Sequence, residues 1–314
     1  MHWQTSHKKL CVVLAIAVVL FTAIAIGAQD TPKPDPLPKP DIADGKYGAF
    51  PSNTFDLWKA NSSKPTPLVV YIHGGGLARG DKSALSANQL KVLLDAGMTV
   101  MSINYRLTLE GAVFPQHYMD SARAIQYARY HAKDFNIDPK LVAATGSSAG
   151  GMTALWIGFH DDLADKKNAD PVLRESTRLK VMAVFSAQTT LVPEVVTKYV
   201  GPLALTYKTY YDGKMLGLTP DGLKTPKAAE LWKAISPLTY LTKDDPPVWA
   251  FYSVPNTPLT DKSTSSDAIH HPGFGVALKD AMDKVGVECK LRHKDDGQNV
   301  NGDMVQFLKK YLRQ

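Results

Sequence analysis

Cysteine is nearly absent from this chain: there are two in 314 residues, Cys11 and Cys289. Cys11 sits inside an apolar N-terminal run and lacks the small residues before it that a lipid-attachment site would show. Cys289 therefore stands alone in the rest of the chain, which excludes an intramolecular disulfide there and leaves a buried, inert thiol as the expected state. Clustered positive charge is also missing. The formal charge is +6, but Lys and Arg are spread along the whole length, which argues against a nucleic-acid partner. No internal repeat occurs, and 44% hydrophobic with 21% charged residues excludes a fibre or a disordered tail. No Gly-Lys-Ser/Thr and no G-x-G-x-x-G leads into a helix, so a phosphate-cradling loop is excluded as well. The polar cluster His160-Asp161-Asp162-Leu163-Ala164-Asp165 lacks a second histidine at helical spacing. It reads as a solvated, cap-forming loop rather than a metal site, and no metal or organic cofactor is implied.

What is present begins with an apolar segment. His7-Lys8-Lys9 precedes a run from Leu10 to Ile26, followed by the small residues of Ala25-Ile26-Gly27-Ala28. This is the layout of a signal peptide over residues 1–28, implying a secreted or periplasmic protein with no stable membrane insertion after cleavage. An uncleaved anchor is the alternative, because the run approaches the length of a membrane span. Residues 29–44 contain Thr31-Pro32-Lys33-Pro34-Asp35-Pro36-Leu37-Pro38-Lys39-Pro40, a proline alternation that favours an extended, solvated spacer. Residues 45–314 are then long enough for one large α/β domain with its own core.

Within that domain, Pro67-Leu68-Val69-Val70-Tyr71-Ile72 is a continuous β-branched apolar run, as expected of a strand covered on both faces. It opens into His73-Gly74-Gly75-Gly76, where three glycines free backbone N–H groups to point inward as an oxyanion hole requires. Apolar residues at helical spacing from Ser86 to Asp95, a strand over Thr99–Tyr105 and an amphipathic helix over Asp120–Phe135 continue a βαβα alternation. Such an alternation implies a parallel sheet whose ligands sit beyond the carboxyl ends of the strands. The strand-like Leu141-Val142-Ala143-Ala144-Thr145 then runs into Gly146-Ser147-Ser148-Ala149-Gly150 and a helix-forming stretch from Gly151. Strand, G-x-S-x-G turn and helix make up a nucleophile elbow, which pushes the Ser148 hydroxyl out at the sheet's carboxyl edge.

His73-Gly74-Gly75-Gly76, Asn104-Tyr105-Arg106-Leu107, the helix around Asp120 and Gly146-Ser147-Ser148-Ala149-Gly150-Gly151, in this order and spacing, resemble the α/β-hydrolase fold. More narrowly, they resemble the hormone-sensitive-lipase-like esterases, most clearly over residues 45–160. The resemblance implies a mostly parallel central sheet with helices on both faces. It further implies Ser148 as nucleophile, Gly74, Gly75 and Ala149 as oxyanion donors, and His73 as a structural residue of the glycine loop. Leu191 to Ile235, with Tyr199, Tyr207, Tyr210, Tyr211 and Trp232, reads either as a small helical lid over the site or as ordinary crossover packing.

The family pattern breaks downstream. The fold's order is Ser, then Asp or Glu, then His, yet Asn256 stands where the aspartate belongs, leaving Asp261, Asp267 or Glu194 as substitutes. The last strand, Glu288–His293, is followed by a loop with no histidine, and the family's base would fall near Gln298 or Asn299, neither of which accepts a proton at neutral pH. His293 comes too early. The pair His270-His271, just before Pro272 and a helix over Gly273–Val285, enters from the same sheet edge. Either one of the pair reaches Ser148 in a rewired triad, or both cap the helix and line the pocket.

Two functions follow. One is an exported serine carboxylesterase, lipase-like, acting on small-molecule esters with short acyl groups or on acetylated carbohydrate. The other is a catalytically impaired homologue that binds such ligands; a serine peptidase is the neighbouring enzymatic alternative.

Overall fold

The computed structural model describes residues 36–207, 211–297 and 299–313. The expected signal peptide and the first part of the expected spacer lie outside the described residues, as do Tyr210 and Gln298. Eight strands occur among the described residues: β1 (Ile42–Lys46), β2 (Thr54–Trp58), β3 (Thr66–Ile72), β4 (Thr99–Ile103), β5 (Ile137–Ser147), β6 (Val181–Phe185), β7 (Val248–Tyr252) and β8 (Cys289–His293). They form one sheet in the order β1-β2-β4-β3-β5-β6-β7-β8. Only β1–β2 and β2–β4 pair antiparallel; from β4 onward every pairing is parallel. This is the α/β-hydrolase fold that the two glycine motifs led us to expect.

The strand at the centre shows why the chain folds this way. In β3, Leu68, Val70 and Ile72 join one buried cluster while Val69 and Tyr71 join a second on the other face. Alternation along a strand sends successive side chains to opposite faces, so an uninterrupted apolar run needs cover on both. On the second face the cover is α1 (Ala87–Asp95) and the last helix Val300–Tyr311, through Leu90, Leu93, Met304 and Leu308. On the first it is α2 (Gln116–Tyr130), α3 (Ala132–Phe135), α4 (Ala149–Phe159) and later helices, through Ile125, Leu155 and Leu278 among others. Every residue of α4 is buried, as a helix pressed between sheet and crossover must be. Ser86 caps α1 by accepting from the Gln89 N–H, so the sequence limit at this end is met closely.

Three expectations change. β1 begins at Ile42, inside the stretch assigned to the spacer, and Trp58 Nε1 donates to Pro38 O at 2.8 Å. Prolines exclude ladder pairing only where they stand, so the chain is recruited as an edge strand soon after Pro40. The helix expected over residues 120–135 starts earlier, at Gln116, and breaks at His131, whose backbone (φ −98°, ψ 24°) closes α2 before the short α3. Finally, the described residues from Leu191 to Ile235 include α5 (Pro193–Tyr199), α6 (Pro226–Ile235) and several 3₁₀ turns between them. None of its described residues lines the cavity that holds Ser148. Among the described residues its aromatics are used in packing, with Trp232 buried and Tyr211 against it at 5.0 Å, as the crossover-packing alternative expects.

Candidate active site

β5 ends at Ser147 and α4 begins at Ala149, leaving Ser148 between them with φ 53° and ψ −123°. A non-glycine residue in this region carries strain of about 1–3 kcal/mol and persists only where its surroundings over-determine it. Here they do. The Ser148 N–H donates to Phe185 O at 2.8 Å and its carbonyl accepts from Met152 N at 2.9 Å. Backbone packing beneath is equally restrictive: a Cβ on Gly150 would fall 2.0 Å from Ile72 O, and one on Gly146 2.5 Å from the same atom. The G-x-S-x-G spacing thus lets β3 touch the elbow from below and forces the hydroxyl outward.

The glycine loop lies alongside. A Cβ on Gly74 would fall 2.8 Å from Ser147 O, so this backbone runs in contact with the elbow. Gly75, Gly76 and Leu77 all take positive φ (107°, 65° and 60°), which folds the loop back on itself while the buried Leu77 side chain anchors it. Among the described residues, nothing accepts a hydrogen bond from the N–H groups of Gly74, Gly75 or Ala149, as donors reserved for an external oxyanion would require. His73 is buried and stacked on Tyr105 at 4.4 Å, with Nδ1 2.7 Å from Gly74 O, and Tyr105 donates to His73 O at 2.8 Å. Burial holds its imidazole below the ordinary histidine range. The ring acts as a strut for the loop.

The imidazole next to the serine comes from beyond β7. A short helix there, α7 (Ser265–Ile269), is started by a capping box in which Thr264 accepts from Asp267 N while Asp267 accepts from Thr264. His270 closes this helix. Its Nε2 lies 2.9 Å from Ser148 Oγ, and its Nδ1 lies 3.2 Å from Ser266 Oγ, one helical turn back. With Nε2 free to accept the serine proton, the Nδ1 hydrogen points at Ser266. Burial lowers the His270 pKa, partly offset by a hydrogen bond to the Ser266 backbone, so the ring is neutral at physiological pH and able to accept a proton. Gln188 Nε2 donates to Ile269 O and pins the residue before it.

The remaining sequence candidates fall elsewhere. His271 is buried and turned away from Ser148: its Nε2 lies 3.0 Å from Thr257 O, and its Nδ1 accepts from Gly273 N at 2.9 Å. Adjacent residues at a helix junction project in different directions, so only one of the pair reaches the serine. Among the described residues no carboxylate meets His270. Asp267 is committed to Thr264 through bonds of 2.7 and 2.8 Å, Asn256 and Asp261 are exposed, and Glu194 lies exposed in the first turn of α5. Asn299 caps the last helix, and His293 ends β8 with its N–H on Asp296. The residue that sequence reading missed is Ser266. Its signal was the spacing Ser266-Asp267-Ala268-Ile269-His270, in which positions four apart share a helix face.

Ser148 and His270 open onto a cavity of ≈ 830 Å³ together with Gly74, Gly75, Arg79 and Leu109. A larger hollow of ≈ 1470 Å³ lies around Ile137 and Lys140, at the start of β5, whereas the elbow is at its end. Along the partner strand β3 the same span runs only from Thr66 to Ile72, which places the two about 20 Å apart. The histidine at the hollow, His131, is engaged with Asp134 at 2.8 Å, and the hydroxyl–imidazole pair lies at the smaller cavity.

Comparison with known proteins finds esterases. An esterase of Gibberella moniliformis is 28% identical over 264 residues, covering 81% of this chain and 72% of its own length. Esterase LipC of Mycobacterium tuberculosis is 31% identical over 115 residues, 36% of this chain, and the chain spans only 28% of it. A truncated carbohydrate esterase from gut microbiota superposes with a TM-score of 0.69 at 20% identity, over 86% of this chain and 95% of its own. The acetyl ester-xyloside bifunctional hydrolase of Caldicellulosiruptor lactoaceticus does so with a TM-score of 0.61 at 22% identity, over 91% and 95%. At such identities these structures speak for the fold alone. The model of one family, BD-FAE, matches residues 55–255, from β2 through the elbow to the loop after β7. By that match, nearly two thirds of its length, the chain belongs to the BD-FAE family.

Proposed function

We propose that this protein is a serine carboxylesterase in which Ser148 is the nucleophile, His270 the general base, and the N–H groups of Gly74, Gly75 and Ala149 the oxyanion hole. The observation that carries the reading is the 2.9 Å contact between His270 Nε2 and Ser148 Oγ at a strained elbow beside a glycine loop with unused donors. A nucleophile within hydrogen-bond reach of a base, itself oriented by a third group, is the requirement for acyl transfer. Ser148 Oγ attacks the ester carbonyl carbon while Nε2 takes its proton. The carbonyl oxygen gathers negative charge against the three N–H groups. Collapse breaks the ester bond, the proton passes from Nε2 to the departing alcohol, and an acyl-serine remains. Water, deprotonated by the same imidazole, releases the acid.

Short acyl esters or acetylated carbohydrate are the substrates we infer. A cavity of ≈ 830 Å³ is within the range of small-molecule sites, and carbohydrate and acetyl esterases are among the structures this chain superposes on. Export of the mature chain is part of the same proposal, resting on the N-terminal sequence. The missing carboxylate at Nδ1 favours a second reading, a weakened relative that binds esters without turning them over at a useful rate.

Hydrolysis of p-nitrophenyl acetate by wild type, Ser148→Ala and His270→Ala separates the two. The esterase reading expects each variant to lose about 10³-fold or more in kcat. Equal, slow turnover by all three proteins leaves only the binding reading.

A further inference from the structure

The cavity beside Ser148 is lined by small, apolar and neutral polar groups with one exception: Arg79 is the one lining residue that carries a fixed charge. Its place is set by the glycine loop itself. The Arg79 N–H donates to Gly75 O at 3.2 Å, and a Cβ on Gly75 would fall 2.0 Å from Arg79 O and 3.3 Å from its Cγ. The arginine backbone and stem are therefore folded onto the residue whose N–H the esterase reading assigns to the oxyanion hole. Beneath it, the buried Leu77 fixes the turn in the core, and Leu77 O accepts from Thr108 N at 2.8 Å. A tight turn with three consecutive positive φ angles holds the Arg79 backbone at the mouth of the site, and its side chain is exposed there.

Nothing neutralises this cation. Among the described residues, no carboxylate pairs with Arg79. The nearest acid in sequence, Asp81, is already engaged by Ser83 N at 2.8 Å and Asn104 Nδ2 at 2.8 Å. Lys82 is likewise taken up by Asp44 and Asp56, so the charge remaining at the cavity is that of Arg79. A guanidinium presents a planar fork of donors that matches a carboxylate.

We propose that Arg79 is a specificity-determining residue that selects esters carrying a carboxylate elsewhere in the molecule, in the acyl group or in the alcohol. The proposal rests on the esterase reading of the same site. Binding energy from this remote anion holds the ester against the glycine loop.

Two substrate pairs test it and tell the two positions apart. For the acyl side the pair is p-nitrophenyl hemisuccinate against p-nitrophenyl butyrate; for the alcohol side it is 4-acetoxybenzoate against phenyl acetate. The readout is the ratio of kcat/KM, anionic over neutral, in wild type, Arg79→Lys, Arg79→Gln and Arg79→Glu. Comparing ratios cancels any general damage to the loop. For at least one pair the ratio should fall about fivefold in Arg79→Gln and further in Arg79→Glu, with Arg79→Lys retaining most of it. The wild-type ratio should also shrink in 1 M salt, where screening acts within about 3 Å. Ratios that are the same in all four proteins for both pairs overturn the proposal. If wild type hydrolyses none of the esters, the esterase reading itself fails, and the role of Arg79 is then decided by calorimetric binding of 4-acetamidobenzoate. Weaker binding to Arg79→Glu than to wild type sustains it, and equal binding sinks it.

Discussion

Replacing Ser266 with aspartate would restore a carboxylate to the position that the structure gives to a hydroxyl. Ser266 Oγ lies 3.2 Å from His270 Nδ1, and Asp267 beside it is tied to Thr264, so among the described residues no acid reaches this nitrogen. On the proposed reading the imidazole becomes an imidazolium in the transition state, with only a neutral hydroxyl and the Ser266 backbone to steady it. A carboxylate about 4 Å from the ring interacts with its positive form by about 1 kcal/mol in a water-like medium and about 4 kcal/mol at an effective dielectric of 20. Ser266 is exposed, which favours the lower part of that range, about one to two pKa units. The sign follows from the chemistry: the base works when neutral, and burial holds His270 below the ordinary histidine value. Wild-type kcat/KM should therefore fall on the acid side with a midpoint below about 6.5. In Ser266→Asp that midpoint moves up by at least about one unit, while kcat on the alkaline plateau rises about tenfold. Ser266→Ala, which keeps the backbone contact, should lose only about three- to tenfold in kcat, the worth of one neutral hydrogen bond. The assay is a pH profile of p-nitrophenyl acetate hydrolysis for the three proteins. An acid limb that stays put in Ser266→Asp would refute the assignment of His270 as base with Ser266 behind it.

Two further perturbations separate scaffold from site. His271→Ala removes a buried ring that bonds both Thr257 O and Gly273 N; unfolding in urea should show a loss of about 2–4 kcal/mol, with kcat reduced far less than in His270→Ala. A larger kcat loss in His271→Ala would mean that the second histidine carries the chemistry. Gly150→Ala places a methyl 2.0 Å from Ile72 O, where only backbone can give way. A stability loss of about 3 kcal/mol or more should appear with loss of turnover, and an unchanged Tm would contradict the elbow packing described above.

The parts of this molecule that a reader of the sequence recovers are those whose signals are local. β3 is legible because its apolar run is unbroken. The elbow is legible because two glycines and a serine stand between a strand and an all-buried helix, and the helix Gly273–Val285 because Pro272 and Gly286 bound an amphipathic stretch. β1 and β2 were missed for the opposite reason: IADGK and TFDLW mix polar and apolar residues at an edge, where one strand alone carries little pattern. The proposed base was harder still. Ser148 and His270 are 122 residues apart, and no periodicity encodes contact over that span. Ser266 was hidden by its neighbourhood, since serines and threonines around Asp267 read as helix-capping residues, and Thr264 and Asp267 do serve as a cap. Only the helix, once placed, turns the i, i+4 spacing of Ser266 and His270 into a pair.

Why the histidine can leave its usual strand follows from the order of the sheet. From β5, which carries the elbow, β7 is two positions away and β8 is three. With neighbouring strands about 4.8 Å apart, a loop leaving β7 starts about 10 Å from the serine and one leaving β8 about 14 Å. The nearer loop therefore needs less reach, and one turn of helix after Thr264, braced by Tyr207 donating to Ser263 O at 2.6 Å, is enough to bring an imidazole over the strand edge. The farther loop is bound to another task. Asp303, at the start of the last helix, accepts from Trp249 Nε1 at 2.9 Å, Lys290 Nζ at 2.5 Å and Arg292 Nη1 at 2.8 Å, which rivets that helix to β7 and β8. A histidine on this loop would be redundant once His270 is in place, and the residues around it are free to serve as an anchor. On the proposed reading the base sits on the loop after β7, and the same helical turn also supplies the partner at its Nδ1. The hydroxyl of Ser266, carried on the same helical turn as the histidine, occupies the place at Nδ1 that a carboxylate would take, which is why the aspartate at this position is the sharpest test of the assignment.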